Sequence, residues 1–409
     1  MGADQVSGWC DAAFRPVRDA FAANFGERGE LGAAVSVMVG GRLVAEFAGG
    51  SRDAAGTQPW TADTLVNVFS VGKGVLAACL ARLAGRGLLD PDSKVARYWP
   101  EFAAAGKSAV SVRELLSHQA GLPALRAKLA PGSALDWRFM TSLLAAEEPW
   151  WPPGSGHGYH VNTFGFLGGE LLRRTTGLLP GDYLRREIAG PLGADVYIGL
   201  TVAQFPRVAE FHWPDVASSG IVPGGAAARR PADGRVRESP VPDTVLSRGG
   251  EPPVPPAGTE EMALHAYFNP PDLSGAGVIN TAAWRGAQVP SANAHATATG
   301  IARLYAPLAA GGGGVVDQGA LAAATAEQVY GDDLVLRRPS RFGLGFQLTH
   351  PEREFGPGPG CFGHFGAGGS VGFCDPDARL AFGYVTNQMG PRWRNPRNRA
   401  LIDACYACL

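Results

Sequence analysis

Lysine is scarce in this chain of 409 residues, which carries a large excess of arginine. The four lysines are Lys73, Lys94, Lys107 and Lys128. Acidic and basic residues nearly balance, and the formal net charge is −1. A chain that binds nucleic acid or an anionic membrane surface through charge carries a clustered basic excess. The composition therefore predicts neither nucleic acid nor a membrane as a partner.

Long hydrophobic stretches are also missing. No apolar run approaches the ~18–20 residues that a membrane-spanning helix needs. Residues 1–5 have neither the basic nor the apolar region of an export signal. Hydrophobic residues make up 45% of the chain and charged residues 18%, which is ordinary for a globular protein. We expect a cytoplasmic protein with one large domain or two closely packed ones.

The six cysteines follow no framework. Cys405 and Cys408 form a Cys-x-x-Cys pair at the C-terminus, but no second pair exists that would complete a zinc site. Cys361 and Cys374 could face each other across a hairpin, although reduced cysteines are expected in the cytosol. We therefore predict no metal and no cofactor.

One short stretch has the features of a nucleophilic site. Residues 69–74 end an apolar run and lead into a small, apolar sequence with helical periodicity. Ser70 would occupy the first turn of that helix and Lys73 the same face one turn later. The N–H groups at a helix start favour negative charge. A serine becomes nucleophilic when a base takes its proton, and a lysine held neutral can be that base.

The same motif also has an ordinary explanation. Ser-x-x-Lys fixes only two letters and can arise by chance. However, Lys73 is the only one of the four lysines with a serine three positions before it. A lysine between two glycines in an apolar helix is also unusual for an exposed position. Taken alone, the motif leaves the catalytic and the chance interpretations open.

Other polar residues are weaker candidates. A helix is predicted over residues 167–176, and it is preceded by Tyr159, His160 and Asn162. These residues could form a functional site, but they could equally cap the helix and pack against it. His118 ends a short predicted helix. A lone histidine at that position is more often structural than a ligand.

A second serine motif can be rejected. Residues 368–372 match the Gly-x-Ser-x-Gly nucleophile elbow, with Ser370 as the nucleophile. That fold needs a helix directly after the serine and a histidine later in the chain. His364 is the last of the eight histidines, and the residues after Ser370 favour a strand.

The remaining pattern mixes helices and strands. Residues 201–260 are rich in Pro, Gly, Arg and Ala and predict a long irregular excursion, of the kind that often forms a lid or binding loop. Helices are predicted over about 8–25, 292–311 and 396–407, a hairpin over 33–39 and 42–48, and strands over 342–348 and 380–385 with a glycine-rich strand region over 362–373.

Taken in order, these segments resemble the serine β-lactamase-like superfamily, in its class C-like branch of carboxylesterases and acyltransferases. The resemblance covers residues 30–200 and 270–390. Residues 70–73 match the first motif, Ser-x-x-Lys. Tyr159-His160-Val161 stands at the second, Tyr-x-Asn, and His364-Phe365-Gly366 at the third, Lys-Thr-Gly. Residues 87–92 and 115–123 are similar to the family's structural signatures between the motifs.

The resemblance implies an α+β fold with two regions. An antiparallel sheet flanked by helices would pack against an all-helical region, with the active site between them. The chain would form a single unit, 1–409. Its sheet region would span about 1–66 and 291–409, and its mostly helical region about 67–290.

The resemblance also implies roles for the site residues. Ser70 would be acylated, Lys73 and Tyr159 would share the proton relay, and the N–H groups of Ser70 and Ala367 would form the oxyanion hole. Gly366 belongs to the same substrate-binding segment. His364 would hydrogen-bond the relay or the substrate, or hold Tyr159 in place.

Two departures from the family pattern shape the functional prediction. Val161 replaces the asparagine of the second motif, with Asn162 one position out of register, and His364 replaces the lysine of the third. Both lost groups help to hold a β-lactam, so β-lactamase and cell-wall peptidase activities are disfavoured.

Three functional hypotheses follow. The leading one is a carboxylesterase acting on small-molecule esters or thioesters through an acyl-enzyme. The alternative is a transacylase that passes the acyl group to an amine or alcohol of a metabolite, as in natural-product tailoring. A binding protein that has kept the fold is the third, and the intact Ser70, Lys73 and Tyr159 argue against it.

Overall fold

A nine-stranded antiparallel sheet forms the centre of the fold, which the computed structural model describes for residues 6–213 and 259–409. The strands are β1 (Val6–Cys10), β2 (Gly32–Val39), β3 (Arg42–Gly50), β4 (Val66–Asn67), β5 (Val196–Ile198), β6 (Ala294–Ala296), β7 (Val329–Asp332), β8 (Pro339–Phe342), β9 (Gln347–Leu348), β10 (Phe362–Phe365), β11 (Val371–Asp375) and β12 (Leu380–Thr386). The large sheet has the order β1-β3-β2-β12-β11-β10-β9-β8-β7, and a small sheet has the order β4-β6-β5.

Helices cover the large sheet and build the rest of the described chain. The α-helices are α1 (Arg15–Glu27), α2 (Val71–Gly85), α3 (Val95–Tyr98), α4 (Val112–Leu116), α5 (Trp137–Ala146), α6 (Thr163–Thr176), α7 (Pro180–Leu184), α8 (Gly190–Leu192), α9 (Thr259–Phe268), α10 (Ala282–Gly286), α11 (Ala298–Ala309), α12 (Gln318–Thr325) and α13 (Pro396–Tyr406). Short 3₁₀ turns cover Ala12–Phe14, Pro100–Ala103, Ser133–Leu135, Val202–Arg207 and Ala367–Gly369, and a π-helical turn covers Arg185–Ala189.

The two faces of the large sheet bury different clusters. Alternate residues of a strand point to opposite faces. Val35 and Val37 of β2 pack with Phe21 of α1 and Leu401 of α13 on one face. Ala34 lies in the other cluster, which contains the apolar residues of α2 and α11. The sheet is therefore covered by helices on both sides, as the α+β prediction required.

Helix α2 lies between the sheet and the helical part of the chain, where it contacts β10 and α6. Two glycines allow this close packing. A Cβ at Gly72 would lie 2.2 Å from the carbonyl oxygen of Pro290. A Cβ at Gly74 would lie 2.2 Å from the hydroxyl of Tyr305. The glycines that flank Lys73 are thus explained by neighbours that touch the helix backbone on both sides of the lysine.

Several elements match the sequence-based predictions. The hairpin is β2–β3, and Gly40 and Gly41 at its turn have φ of 59° and 80°, as a two-residue turn of type I′ requires. The C-terminal helix is α13, and the strand predicted over 380–385 is β12. The residues after Ser370 form β11 rather than a helix.

Three boundaries were predicted wrongly. The helix expected over 8–25 begins at Arg15, because the residues before it pair as edge strand β1 with β3. The helix expected over 292–311 begins at Ala298, after strand β6. The strand expected over 342–348 is two short strands, since the chain turns at Gly345, whose φ is 87°. Tertiary pairing overrides the local pattern in each case.

The predicted excursion over 201–260 lies mostly outside the described residues. The division into a sheet region and a helical region stays a prediction for the chain as a whole. Among the residues that the structure describes, no helix is long and apolar enough to cross a membrane. All six cysteines are free.

Candidate active site

Ser70 stands at the junction between the loop after β4 and helix α2. It is the N-cap residue of the helix, but its φ and ψ are −66° and −7° and its side chain makes no capping hydrogen bond. A serine at this position ordinarily caps a free N–H group. Here the hydroxyl is left to meet Lys73, whose Nζ lies 2.9 Å from Oγ of Ser70. The predicted pair is therefore brought into contact.

Lys73 is fully buried, which determines its charge. Burial in an apolar environment disfavours an ammonium ion, and it lowers the pKa of Lys73 well below its ordinary value. Besides Ser70, Nζ contacts the backbone carbonyl of Ser291 at 3.3 Å. Nζ also lies 4.8 Å from the centre of the Tyr159 ring. The contacts of Lys73 thus suit a neutral amine that can accept a proton.

Tyr159 lies just before helix α6 and is fully buried. Burial raises the pKa of its phenol well above the ordinary value, and a hydrogen bond with Ser70 acts in the opposite direction. Its ring stacks on Phe342, with the ring centres 5.7 Å apart, and meets Trp393 edge-on at 5.3 Å. These rings fix the orientation of a protonated tyrosine beside Ser70 and Lys73.

The backbone of Tyr159 is anchored by Asp333. The amide of Tyr159 donates to both carboxylate oxygens of Asp333, each at 3.0 Å. The same carboxylate accepts the amides of Val335 and Leu336 and the hydroxyl of Ser340. The turn between β7 and β8 therefore holds the tyrosine segment in place.

His364 joins the group from strand β10. Its Nδ1–H donates to the carbonyl of Phe365 at 2.7 Å, which leaves Nε2 as an acceptor 3.5 Å from the hydroxyl of Tyr159. Burial lowers the pKa of His364 well below its ordinary value. His364 is therefore neutral near pH 7 and supplies an acceptor where the family pattern has a cation.

His118 and His160 form hydrogen bonds that hold the segment around Tyr159. Nδ1 of His118 accepts the amide of His160 at 3.1 Å, and Nε2 of His160 accepts the amide of Leu122 at 3.0 Å. Burial lowers the pKa of His160 to about 4 and that of His118 well below its ordinary value. Both rings are neutral and accept hydrogen bonds from backbone amides. The contacts of His118 therefore agree with the interpretation that it is a structural residue.

A tight turn after β10 approaches the segment that precedes Ser70. The amide of Gly369 donates to the carbonyl of Gly366 at 3.2 Å. Because a trans peptide directs its N–H and C=O to opposite sides, the N–H of Ala367 points away from this turn. A Cβ at Gly366 would lie 2.3 Å from the carbonyl oxygen of Val68, so glycine allows the turn to reach the segment before Ser70.

A buried charge network fixes the same turn. The carbonyl of Gly368 accepts the guanidinium of Arg397 at 2.9 Å and the side-chain amide of Asn395 at 3.1 Å. Arg397 pairs at 2.9 Å with Glu30, and both side chains are almost wholly buried. A charge-assisted hydrogen bond is stronger than a neutral one, so the turn is held rigidly.

Sequence reasoning missed several of these supporting residues. Ser291, Asp333, Trp393 and Arg397 belong to no motif, and their contacts depend on residues far away in the chain.

Two polar residues that the sequence analysis considered, Ser370 and Asn162, make buried structural hydrogen bonds. Ser370 is fully buried, where its Oγ accepts the amide of Thr386 at 3.3 Å. The side chain of Asn162 donates to the carbonyl of Ala266 and to the hydroxyl of Ser274, both at 3.0 Å.

In residues 6–213 and 259–409, no group of three or more His, Cys, Asp or Glu side chains is placed to hold a metal ion. The chemistry that the described residues offer is proton transfer among a serine, a neutral amine and a phenol, next to backbone N–H groups that can meet negative charge. This arrangement suits acyl transfer.

The chain is similar to known proteins in both sequence and fold. A sequence profile of the family described as Beta-lactamase matches residues 17–406. The chain is 34% identical over 400 residues to the Esterase/beta-lactamase LipL of Mycobacterium tuberculosis, an alignment that covers 94% of this chain and 83% of that protein.

Two solved structures extend the likeness to the whole chain. A family VIII carboxylesterase is 37% identical, with a TM-score of 0.85 and coverage of 99% of this chain and 100% of the other. A penicillin-binding protein homologue from Caulobacter crescentus is also 37% identical, with a TM-score of 0.84 and the same coverage.

Proposed function

The chain belongs to the beta-lactamase family of serine hydrolases, and we propose that it is a carboxylesterase that acts on esters or thioesters through an acyl-enzyme on Ser70. The observation that carries the proposal is the 2.9 Å contact between Oγ of Ser70 and a buried Lys73 amine. A neutral amine at hydrogen-bond distance accepts the serine proton as the oxygen attacks.

In the acylation step, Oγ of Ser70 forms a bond with the carbonyl carbon while its proton passes to Nζ of Lys73. The carbonyl oxygen becomes negatively charged and faces the N–H groups of Ser70 and Ala367. Neither amide has a partner within its own helical turn, because each stands at the start of one. One donor of this kind contributes on the order of 10²–10³ in rate.

Breakdown of the tetrahedral intermediate breaks the bond to the alcohol. The leaving alkoxide takes the proton of Tyr159, whose raised pKa keeps it protonated until that moment. The ammonium of Lys73 then returns a proton to the phenolate. Nε2 of His364, 3.5 Å from the phenol oxygen, accepts from the protonated phenol before that proton is donated. Water repeats the sequence in deacylation and restores free Ser70.

Mass spectrometry of the intact protein tests the proposal. After mixing with p-nitrophenyl butyrate, wild type should gain one butyryl group at Ser70, and Ser70→Ala should gain none and lose turnover. Ser370→Ala is the matched control, since Ser370 is a buried serine on the neighbouring turn, and it should still be acylated. An adduct that persists in Ser70→Ala would contradict the assignment of the nucleophile.

The second half-reaction is tested in the same experiment. If added amines or alcohols suppress hydrolysis and give a product that contains both acyl group and acceptor, the enzyme is a transacylase. If the released acid is unchanged as acceptor rises, water is the acceptor and the esterase proposal stands.

A further inference from the structure

Three aromatic rings gather beside Ser70 and have no role in the chemistry described so far. Phe69, Phe211 and Trp213 form this aromatic cluster. The ring centres of Phe69 and Phe211 are 4.9 Å apart, and that of Trp213 lies 6.4 Å from Phe69 and 5.9 Å from Phe211. All three pairs meet edge-to-face, the arrangement that aromatic quadrupoles favour.

Phe211 and Trp213 share one face of an extended segment. The amide of His212 donates to the carbonyl of Asn387 at 2.7 Å, and the amide of Met389 donates to the carbonyl of His212 at 2.9 Å. In such a bridge residues 211 and 213 point to the same side and His212 to the other. Asn280 holds both backbone groups of Phe211, at 2.8 and 3.0 Å. The cluster is therefore fixed in place before any ligand binds.

The backbone of Phe69 is strained. Its φ is 48°, in the left-handed region that bulky residues rarely adopt. Strain of this kind persists where surrounding contacts impose it, and it is concentrated at functional sites. Phe69 directly precedes Ser70, so the conformation that places Ser70 at the helix start also directs the Phe69 ring toward Phe211.

The cluster also reaches the turn that carries Ala367. A Cβ at Gly368 would lie 3.2 Å from the ring of Phe211 and 3.4 Å from the backbone of Met389. The rings therefore run from the residue before Ser70 to the turn opposite it. Phe69 and Phe211 are 4% and 2% exposed, whereas Trp213 is 36% exposed. The outer member of the cluster thus offers an open apolar ring beside the site.

We propose that Phe69, Phe211 and Trp213 form a subsite for an aryl group of the ester, with Trp213 as the contacting ring. The proposal rests on the esterase function above and adds a substrate class to it. The cluster contacts both the residue before Ser70 and the turn that carries Ala367, so it borders the space between the two N–H groups that would hold the ester carbonyl. Aromatic walls with a few polar groups are usual in small-molecule sites. The aryl group belongs to either the acyl or the alcohol half, and the test separates the two.

The test compares paired esters with Trp213→Ala. The acyl arm uses p-nitrophenyl benzoate against p-nitrophenyl acetate, and the alcohol arm uses benzyl acetate against methyl acetate. In one arm, Trp213→Ala should lower kcat/KM for the aryl ester about tenfold, or ~1.4 kcal/mol, and change the small ester less than twofold. Trp213→Phe should keep the preference. Trp9→Ala is the matched control, because Trp9 is 46% exposed on edge strand β1.

Equal losses for both members of each pair, or no loss in either arm, would overturn the subsite while leaving the esterase intact. A binding measurement separates failure of the subsite from failure of the proposed function. Calorimetry of Ser70→Ala with phenyl benzoate should give an affinity that falls about tenfold in Ser70→Ala/Trp213→Ala. An unchanged affinity would contradict the subsite whether or not wild type turns over any ester.

Discussion

The amide of Tyr159 donates to both carboxylate oxygens of Asp333, each at 3.0 Å, and the contact joins residues 174 positions apart. Asp333 touches neither Ser70 nor Lys73 by any hydrogen bond that the structure shows. Asp333 fixes the backbone of Tyr159, and its charge is one of the smaller effects that raise the pKa of the phenol. We therefore expect it to affect catalysis through Tyr159.

Asp333→Asn should therefore slow the enzyme and change its pH profile. An asparagine replaces one of the two oxygens that accept the amide of Tyr159 with an N–H donor, so we expect kcat/KM to fall about 10–100-fold, or ~1.4–2.8 kcal/mol. Loss of the carboxylate charge lowers the pKa of Tyr159, so the alkaline limb of the pH–rate profile should move to lower pH. Steady-state kinetics from neutral pH up to the alkaline limit at which the protein stays folded would measure both effects.

Asp375→Asn is the matched control for this change. Asp333 and Asp375 are both 2% exposed. Asp375 also accepts two backbone amides, from Asp377 and Ala378, together with the hydroxyl of Tyr406. Asp375→Asn should therefore lower the stability of the protein about as much as Asp333→Asn does, but it should leave the pH–rate profile unchanged. If the two variants affect the profile alike, Asp333 has only a structural role.

The buried amine of Lys73 predicts an opposition between activity and stability. In the unfolded chain a lysine stays protonated up to about pH 10.4, whereas burial lowers its folded pKa. The unfolded state then binds more protons, so stability rises with pH until the unfolded lysine also loses its proton. Lys73→Met removes this dependence and should abolish turnover.

The difference in Tm, Lys73→Met minus wild type, should therefore become more positive as pH falls from 10 to 7. Calorimetry at several pH values would measure it. A difference that is constant with pH would mean that Lys73 is charged in the folded protein, and another base would then be needed for Ser70.

Lys73 and Tyr159 should behave as one catalytic unit. The amine takes the serine proton, and the phenol delivers a proton to the leaving alkoxide, so either loss blocks the relay. Residues that act as a unit give non-additive losses. Lys73→Ala, Tyr159→Phe and the double variant should lose nearly the same kcat/KM on p-nitrophenyl butyrate. Losses that multiply in the double variant would indicate two independent roles.

The sequence predicted the catalytic residues better than the residues that hold them in place. Ser70 and Lys73 are three residues apart on one helix, so helical periodicity alone brings them together. The position of Tyr159 came from the family resemblance, because its approach to Ser70 depends on packing across 89 residues. Asp333 and Arg397 act through backbone groups, which leave no motif in the sequence.

Local pattern failed in the fold where tertiary pairing decides the structure. The segment before Arg15 continues an apolar periodicity, yet it forms an edge strand because β3 offers free backbone groups there. The strand-like run is interrupted where the chain turns at Gly345, and only glycine fits there because φ is 87° and a Cβ would lie 2.9 Å from Phe164 of α6. Each failure involves a partner distant in sequence, which no local window contains.

The neutral state of His364 predicts that β-lactams are poor substrates. A β-lactam presents a carboxylate that the family meets with a cation in the third motif, and burial keeps His364 uncharged. An ester has no such carboxylate and loses nothing. Charge-assisted hydrogen bonds are roughly twice as strong as neutral ones, so kcat/KM should favour p-nitrophenyl butyrate over a chromogenic cephalosporin by at least about tenfold. The similar protein LipL is named as both an esterase and a beta-lactamase, so measuring both substrates distinguishes the two activities for this chain. Equal efficiency on the two substrates would show that another group in the site binds the carboxylate, and the esterase proposal would then lose its electrostatic basis.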